Sequence, residues 1–507
     1  MEFERSAGIL LHPTSLPGPF GVGTMGKDAR NFVDFLAETG VGLWQILPLG
    51  PTGYGDSPYQ CLSSFAGNIY LLDPEELRML GLASDEDVDA CRTPNTGSVN
   101  FGRLFAEKNR LVDAAWERYK DGVKARTAAR AGFAALETEF TEFSAENVSW
   151  LDDYALFSAI KEDQGFASWD RWPKALRRRE ASAIGEFAKR AHDRIGRHAF
   201  AQYLFWRQWV ALHSYARSRK VKIIGDLPIF VAYDSADTWA HPRLFLLDEE
   251  GKPTKVAGVP PDYFTATGQL WGNPLYDWKA HKAEGFAWWI SRIKATLEVV
   301  DILRIDHFRG FVDYWAVPAG DATAARGRWE KGPGLALFEA IEAKLGDLPI
   351  IAEDLGFMTP EVGELRERLG FPGMKILQFA FEPEGDNDDY PHNYDGHCVV
   401  YTGTHDNDTS IGWLGSAAPS AARRALKYVG GRRASFAWNM IKTAWASPAR
   451  IAIAPAQDLL GLGTEARMNY PGTQNRWWTW RMADGAFTPA IARLLKALTR
   501  VYFRSFP

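Results

Sequence analysis

Val300-Asp301-Ile302-Leu303-Arg304-Ile305-Asp306-His307-Phe308 is the stretch on which the reading of this chain turns. A short apolar run takes in one arginine and stops at an acid. On a strand, Arg304 and Asp306 project to the same side. A guanidinium beside Asp306 would keep it ionised, as a nucleophile must be. Seven more runs resemble it: Gly8–His12, Leu43–Leu49, Val221–Leu227, Pro349–Glu353, Met374–Phe379, Cys398–Tyr401 and Ile451–Ala454. Several are apolar throughout rather than alternating, the pattern of parallel strands buried on both faces. Helical stretches fall between most of them, at Lys27–Glu38, Trp278–Glu298, Gly334–Lys344, Pro360–Leu369 and Ser420–Ala446, the last broken at Gly430-Gly431. Strand and helix in alternation predict an α/β fold, a (β/α)₈ TIM barrel. A doubly wound open sheet is the alternative that the pattern leaves open.

The gap between the second and third runs is too long for one crossover. Residues 75–215 show apolar positions three and four apart, as in Phe101–Phe143 and Gly185–Lys220, and are predicted to be a helical insertion beside the barrel. Residues 228–300 read as a loop and helix region. Within it, 258–274 is a long loop rich in Gly, Pro and aromatics (Tyr263, Phe264, Trp271), expected to act as a lid over a cleft. Residues 1–507 are thus expected to form a single catalytic barrel with insertions.

Composition narrows the function classes. A hydrophobic fraction of 46% and a charged fraction of 24% are ordinary for a globular chain able to bury a full core. A net charge of -5 leaves no basic footprint for nucleic acid. Cys61, Cys91 and Cys398 are odd in number and widely spaced, which argues against disulfides and zinc and for a reducing, cytoplasmic setting. The start, Met1-Glu2-Phe3-Glu4-Arg5, lacks the apolar core of a signal peptide, and no apolar stretch reaches the roughly 18 residues of a membrane span.

Catalytic groups of barrels gather at the C-terminal ends of strands. Here those ends carry Asp226, Asp306, Glu353 and Asp406. One such acid can cap a helix. Four converging on one mouth repel one another and must be compensated or used. Glycosidic cleavage uses such a set: one carboxylate attacks, one carboxylic acid protonates the leaving oxygen, and in retaining enzymes the two lie about 5–5.5 Å apart. The attacking group must be ionised and the acid must have a raised pKa.

The motifs carry a resemblance. Arg304-x-Asp306-His307, Ala352-Glu353-Asp354-Leu355-Gly356 and Thr404-His405-Asp406-Asn407 resemble the α-amylase clan. Ser15-Leu16-Pro17-Gly18, Tyr54-Gly55-Asp56-Ser57-Pro58-Tyr59-Gln60, Gly225-Asp226-Leu227-Pro228, Gly258-Val259-Pro260-Pro261-Asp262-Tyr263-Phe264 and Gly268-Gln269-Leu270-Trp271-Gly272-Asn273-Pro274 resemble its amylomaltase branch, glycoside hydrolase family seventy-seven. The resemblance spans nearly the whole chain. It implies a retaining 4-α-glucanotransferase with Asp306 as nucleophile, Glu353 as general acid/base and Asp406 as transition-state stabiliser. It further implies sugar contacts from Tyr59, Asp226, Gln269, Trp271, Arg304, His307, His405 and Asn475. The implied partners are α-1,4-glucans and maltooligosaccharides, with glucose as acceptor; no cluster of ligands at metal-binding spacing stands in the sequence, so no metal or cofactor is expected. Leu270 stands where the family often carries a polar residue. A hydrolase on the same frame, and a silent glucan-binding protein, are the rival functions.

Other features have plainer readings. Gly21-Val22-Gly23-Thr24-Met25-Gly26 matches a dinucleotide fingerprint, but prolines separate it from its strand and no acid ends the next one. Asp386-Asn387-Asp388-Asp389 lacks the glycine and glutamate of a calcium loop and reads as a solvated acidic loop. Trp477, Trp478 and Trp480 are expected to be mainly core.

Overall fold

The computed structural model describes residues 3–125, 129–261, 266–473 and 477–505. Eight parallel strands follow one another as β1 (Ser6–Leu10), β2 (Leu43–Gln45), β3 (Lys222–Leu227), β4 (Ile302–Ile305), β5 (Ile350–Ala352), β6 (Gly373–Ile376), β7 (Cys398–Tyr401) and β8 (Ile451–Pro455). They pair in the spatial order β6-β7-β8-β1-β2-β3-β4-β5, each beside its chain neighbour, with β8 meeting β1. The fold is the TIM barrel that the alternation predicts.

Both faces of the strands are buried for different reasons. Ile224, Ile302, Ile351, Val399, Tyr401, Ile451 and Ile453 fill the lumen. Leu227, Leu303, Ile305 and Ala352 pack outward against helices, among them Ala287–Leu297 and Leu335–Leu345. Each fully buried aliphatic side chain contributes about 1.5–3 kcal/mol.

The ring is ladder-bonded everywhere except between β5 and β6. There Ala352 N donates to Pro372 O at 3.0 Å, and Met374 N donates to Asp354 Oδ1 at 2.7 Å. Gly373 makes the second bond possible, since a Cβ there would collide with the Asp354 carboxylate.

Helices from Pro74–Met79 to His192–Ser218 occupy the stretch between β2 and β3. His192–Ser218 lies against the barrel: Trp209 Nε1 donates to Val299 O at 2.9 Å, and the Gln202 and Gln208 amides bond the backbone of Gly67 and Asp73.

Two local expectations are corrected. The stretch 258–274 is not a structureless loop. Lys255–Val259 and Gln269–Pro274 are antiparallel strands in a second sheet with Asp313–Pro318 and Arg328–Lys331. Its partners lie some 40 to 70 residues further along the chain, and its Gly and Pro content masks the alternation by which strands are recognised. Asp262–Thr265, which include Tyr263 and Phe264, lie outside the described residues. The helix expected over Trp278–Glu298 is two, Trp278–Ala283 and Ala287–Leu297, separated at Gly285-Phe286, where φ is 66° and 58°.

Candidate active site

Strand periodicity decides what enters the lumen. Ile302 faces inward and Leu303 and Ile305 outward, so Arg304 and Asp306 follow Ile302 to the inside. Parity likewise brings Asp226 inward after Ile224 and Glu353 after Ile351. Asp226 and Arg304 expose 0% and 4% of their side chains, and Arg304 Nη1 donates to Asp226 Oδ1 and Oδ2 at 2.7 and 2.8 Å. The same nitrogen lies 3.0 Å from Asp306 Oδ1. From the loop after β2, Tyr59 donates its hydroxyl to Asp226 Oδ2 at 2.6 Å.

One guanidinium thus serves two carboxylates. Arg304 reaches Asp306 and favours its ionised form, against burial. Burial raises Asp306 well above the usual carboxylate range, and the charges of Asp226, Glu353 and Asp406 add to this against the pull of Arg304. Burial opposes the Arg304 charge too, yet Asp226 and Asp306 carry it above its ordinary range.

Glu353 faces this group from the next strand. His307 N donates to its Oε2 at 2.6 Å and Leu355 N to its Oε1 at 2.9 Å. His307 is left-handed at φ 53°, a conformation uncommon outside glycine and concentrated at functional sites. Burial raises the Glu353 carboxyl, while Arg304 and the two N–H donors oppose the rise. The His307 ring is pushed down to about 3 by burial and by Arg309, so it is a neutral group.

Asp406 enters from the loop after β7. Asn469 Nδ2 donates to its Oδ1 at 2.7 Å, and Arg467 Nη2 to its carbonyl at 2.5 Å. His405 Nε2 lies 3.4 Å from the same Oδ1. The His405 ring stacks on Tyr59 with centroids 5.0 Å apart, and Trp478 approaches both rings at 5.7 and 5.9 Å. Burial lowers the His405 pKa. Trp478 belongs to the lumen core, as expected, and also walls the site. Asn469 and Arg467 were not legible as site residues; their only signal is a polar stretch in the loop after β8.

The second sheet supplies the opposite rim. Trp271 meets the His307 ring edge to face at 4.9 Å, and its Nε1 donates to Gln269 Oε1 at 3.2 Å. The structure therefore brings Tyr59, Asp226, Arg304, Asp306, His307, Glu353, His405 and Asp406 into one cleft, with Trp271 and Gln269 on its edge. Asn475 lies outside the described residues. Leu270 is exposed at 40%, on the face of its strand opposite Trp271.

Comparison with known proteins agrees with this arrangement. The glycoside hydrolase 77 family model, described as 4-alpha-glucanotransferase, matches residues 11–487. A 4-alpha-glucanotransferase of Thermus thermophilus is 49% identical over 506 residues, covering 98% of this chain and 99% of the relative. One from Synechocystis sp. is 46% identical over 505 residues, covering 99% and 98%. The solved amylomaltase of Streptococcus agalactiae, in complex with acarbose, superposes with a TM-score of 0.93 at 39% identity, covering 99% of this chain and 100% of that one.

Proposed function

This chain belongs to the 4-alpha-glucanotransferase family, glycoside hydrolase family 77, and on that premise we propose how its cleft carries out the reaction. The activity is that of a 4-α-glucanotransferase. The donors are α-1,4-glucans and maltooligosaccharides, and glucose or another glucan is the acceptor. Asp306 attacks the anomeric carbon as the C1–O bond breaks, and Glu353 gives its proton to the departing 4-oxygen. A β-linked glucosyl-enzyme results. Glu353, now a carboxylate, takes the proton of an incoming 4-hydroxyl, whose oxygen displaces Asp306 from C1. Two inversions restore the α configuration.

The convergence of Asp306 and Glu353 near the Arg304 guanidinium, with Asp406 facing Asp306 from the loop after β7, carries this reading. Each Glu353 oxygen accepts one backbone N–H and keeps a second lone pair for a proton. Asp406, oriented by Asn469, stabilises the cationic sugar and binds its hydroxyls. Tyr59, Asp226, His307 and His405 complete the pocket for the ring that reacts, with Gln269, Trp271 and Asn475 contacting the chain beyond it. The helical region 75–215 is a subdomain that buttresses the wall between β2 and β3, a role supported by the Trp209–Val299 bond. A cytoplasmic setting is supported by three free thiols, Cys61, Cys91 and Cys398.

Water at about 55 M competes with acceptor sugar at ~10 mM, so transfer demands discrimination of several thousand-fold, or roughly 5 kcal/mol of relative barrier. Covering of the cleft by 258–274, whose Trp271 already touches His307, supplies part of it. Maltotriose tests the partition. Under transfer, chain lengths spread while the number of reducing ends stays constant. Reducing ends rising in step with maltotriose consumption from the earliest times would make water the main acceptor and overturn the role of 258–274.

A further inference from the structure

Beside Glu353 the rim carries apolar surface that neither the core nor the bond-breaking step uses. Phe357 is 64% exposed, Met358 40% and Trp329 37%. Clustered apolar exposure of this kind marks binding surfaces. Trp329 and Phe357 are assembled on one support, and Met358 follows Phe357 in the chain. The Arg309 guanidinium lies 4.0 Å over the Trp329 ring, donates to the Phe357 carbonyl and pairs with Asp313, with only 4% of its side chain exposed. Arg309 is two residues past His307, whose N–H holds Glu353. Gly356, at φ 83°, turns the chain outward before Phe357, a turn that a side chain there would strain. The patch thus joins the two loops that position Glu353 to the second sheet, where Trp329 lies on the strand Arg328–Lys331.

Its place relative to the reaction follows from the chemistry. A group that protonates the leaving oxygen sits on the leaving side of the scissile bond. Surface continuous with it faces the departing chain, and then the incoming one. Sugar rings present apolar C–H faces that lie flat on aromatic side chains. We propose that Phe357, flanked by Met358 and Trp329, is the platform for acceptor rings beyond the first, and that it sets the preference for glucan acceptors over glucose. This rests on the reading of Glu353 as the general acid/base.

The test uses the full chain, α-maltosyl fluoride as donor, and labelled glucose or labelled maltotriose as acceptor, followed by initial rates of label transfer. Phe357→Ala should raise the apparent KM for maltotriose about tenfold relative to that for glucose, the loss expected for one stacking contact. Phe357→Trp should restore the parent ratio, which a purely structural effect of the loop would not do. An unchanged KM ratio in Phe357→Ala overturns the platform, as does a ratio that Phe357→Trp fails to restore. Glu353→Gln, assayed with maltotriose itself as donor because fluoride leaves carbon without a proton, serves as the separate control. If it retains turnover, the acid/base reading fails whatever the ratio does. If it abolishes turnover while the ratio is flat, the platform alone is wrong.

Discussion

The lumen floor and the second sheet contribute to the same cleft in opposite ways. On the floor, Asp226 and Arg304 are buried side chains whose directions follow from strand parity, and the half-buried Tyr59 joins them from the loop after β2, with bonds of 2.6 to 2.8 Å. On the rim, Trp271 and Gln269 are half-buried and bonded mainly to each other. A buried, interlocked group cannot rearrange without leaving a charge unpaired, so it can preorganise a transition state. A half-exposed aromatic can follow substrates of different length. Chemistry is thus carried by strands whose register the barrel dictates, and recognition by an insertion that the barrel does not constrain.

That contrast can be broken most directly at Asp306. Asp306→Asn keeps the shape and removes the nucleophile, so maltotriose disproportionation should fall by about 10⁴-fold or more; near-normal turnover in a deamidation-free preparation would reassign the role. Asp226→Asn comes next. It leaves Arg304 underpaired in the lumen and should lower stability by about 3–5 kcal/mol, read from the denaturant midpoint; an unshifted midpoint would mean the floor is not the interlocked unit described.

Glu353→Gln should show a pH signature. Burial raises the folded-state pKa of Glu353, so the folded protein holds a proton that the unfolded chain releases. The parent should therefore lose stability relative to the variant as pH rises above the ordinary glutamate range of about 4.3. Difference curves of stability against pH, flat throughout, would remove the raised pKa. The smallest effect belongs to the rim. Trp271→Ala should raise KM by about three- to tenfold with kcat within a few-fold. A kcat loss as large as that from the floor variants would erase the distinction between the two regions.

All eight barrel runs were legible because burial on both faces leaves an apolar signature that needs no partner to be seen. The same parity that exposes Ile302 to the lumen let Arg304 and Asp306 be placed together from their spacing. Asn469 was not legible, since its bond to Asp406 joins loops 63 residues apart in sequence. The second sheet escaped for a related reason: Lys255–Val259 pairs with Asp313–Pro318 across a helix pair and a barrel strand. The raised Asp306 carboxyl depended on a count of charges around one guanidinium, which no local spacing contains.

The join between β5 and β6 has a consequence for motion. Elsewhere the ring is a continuous ladder, and an amide there exchanges with solvent only when several bonds open together. At the join, two bonds flank Glu353: one from Ala352 just before it, one to Asp354 just after it. Local opening there has a lower free energy than at any ladder of the barrel, so the amides of Ala352 and Met374 should take up deuterium before those of β4. Such an excursion loosens β6 while Glu353 stays tied to β4, its N–H donating to Ile305 O and its carbonyl accepting from Phe308 N, both at 2.9 Å, just as Asp306 stays tied to β3 by its own N–H to Leu227 O at 3.0 Å. The two carboxyl groups of one reaction would then fluctuate together with the laddered strands β3 to β5, and the weakest joint of the barrel lies just beyond them.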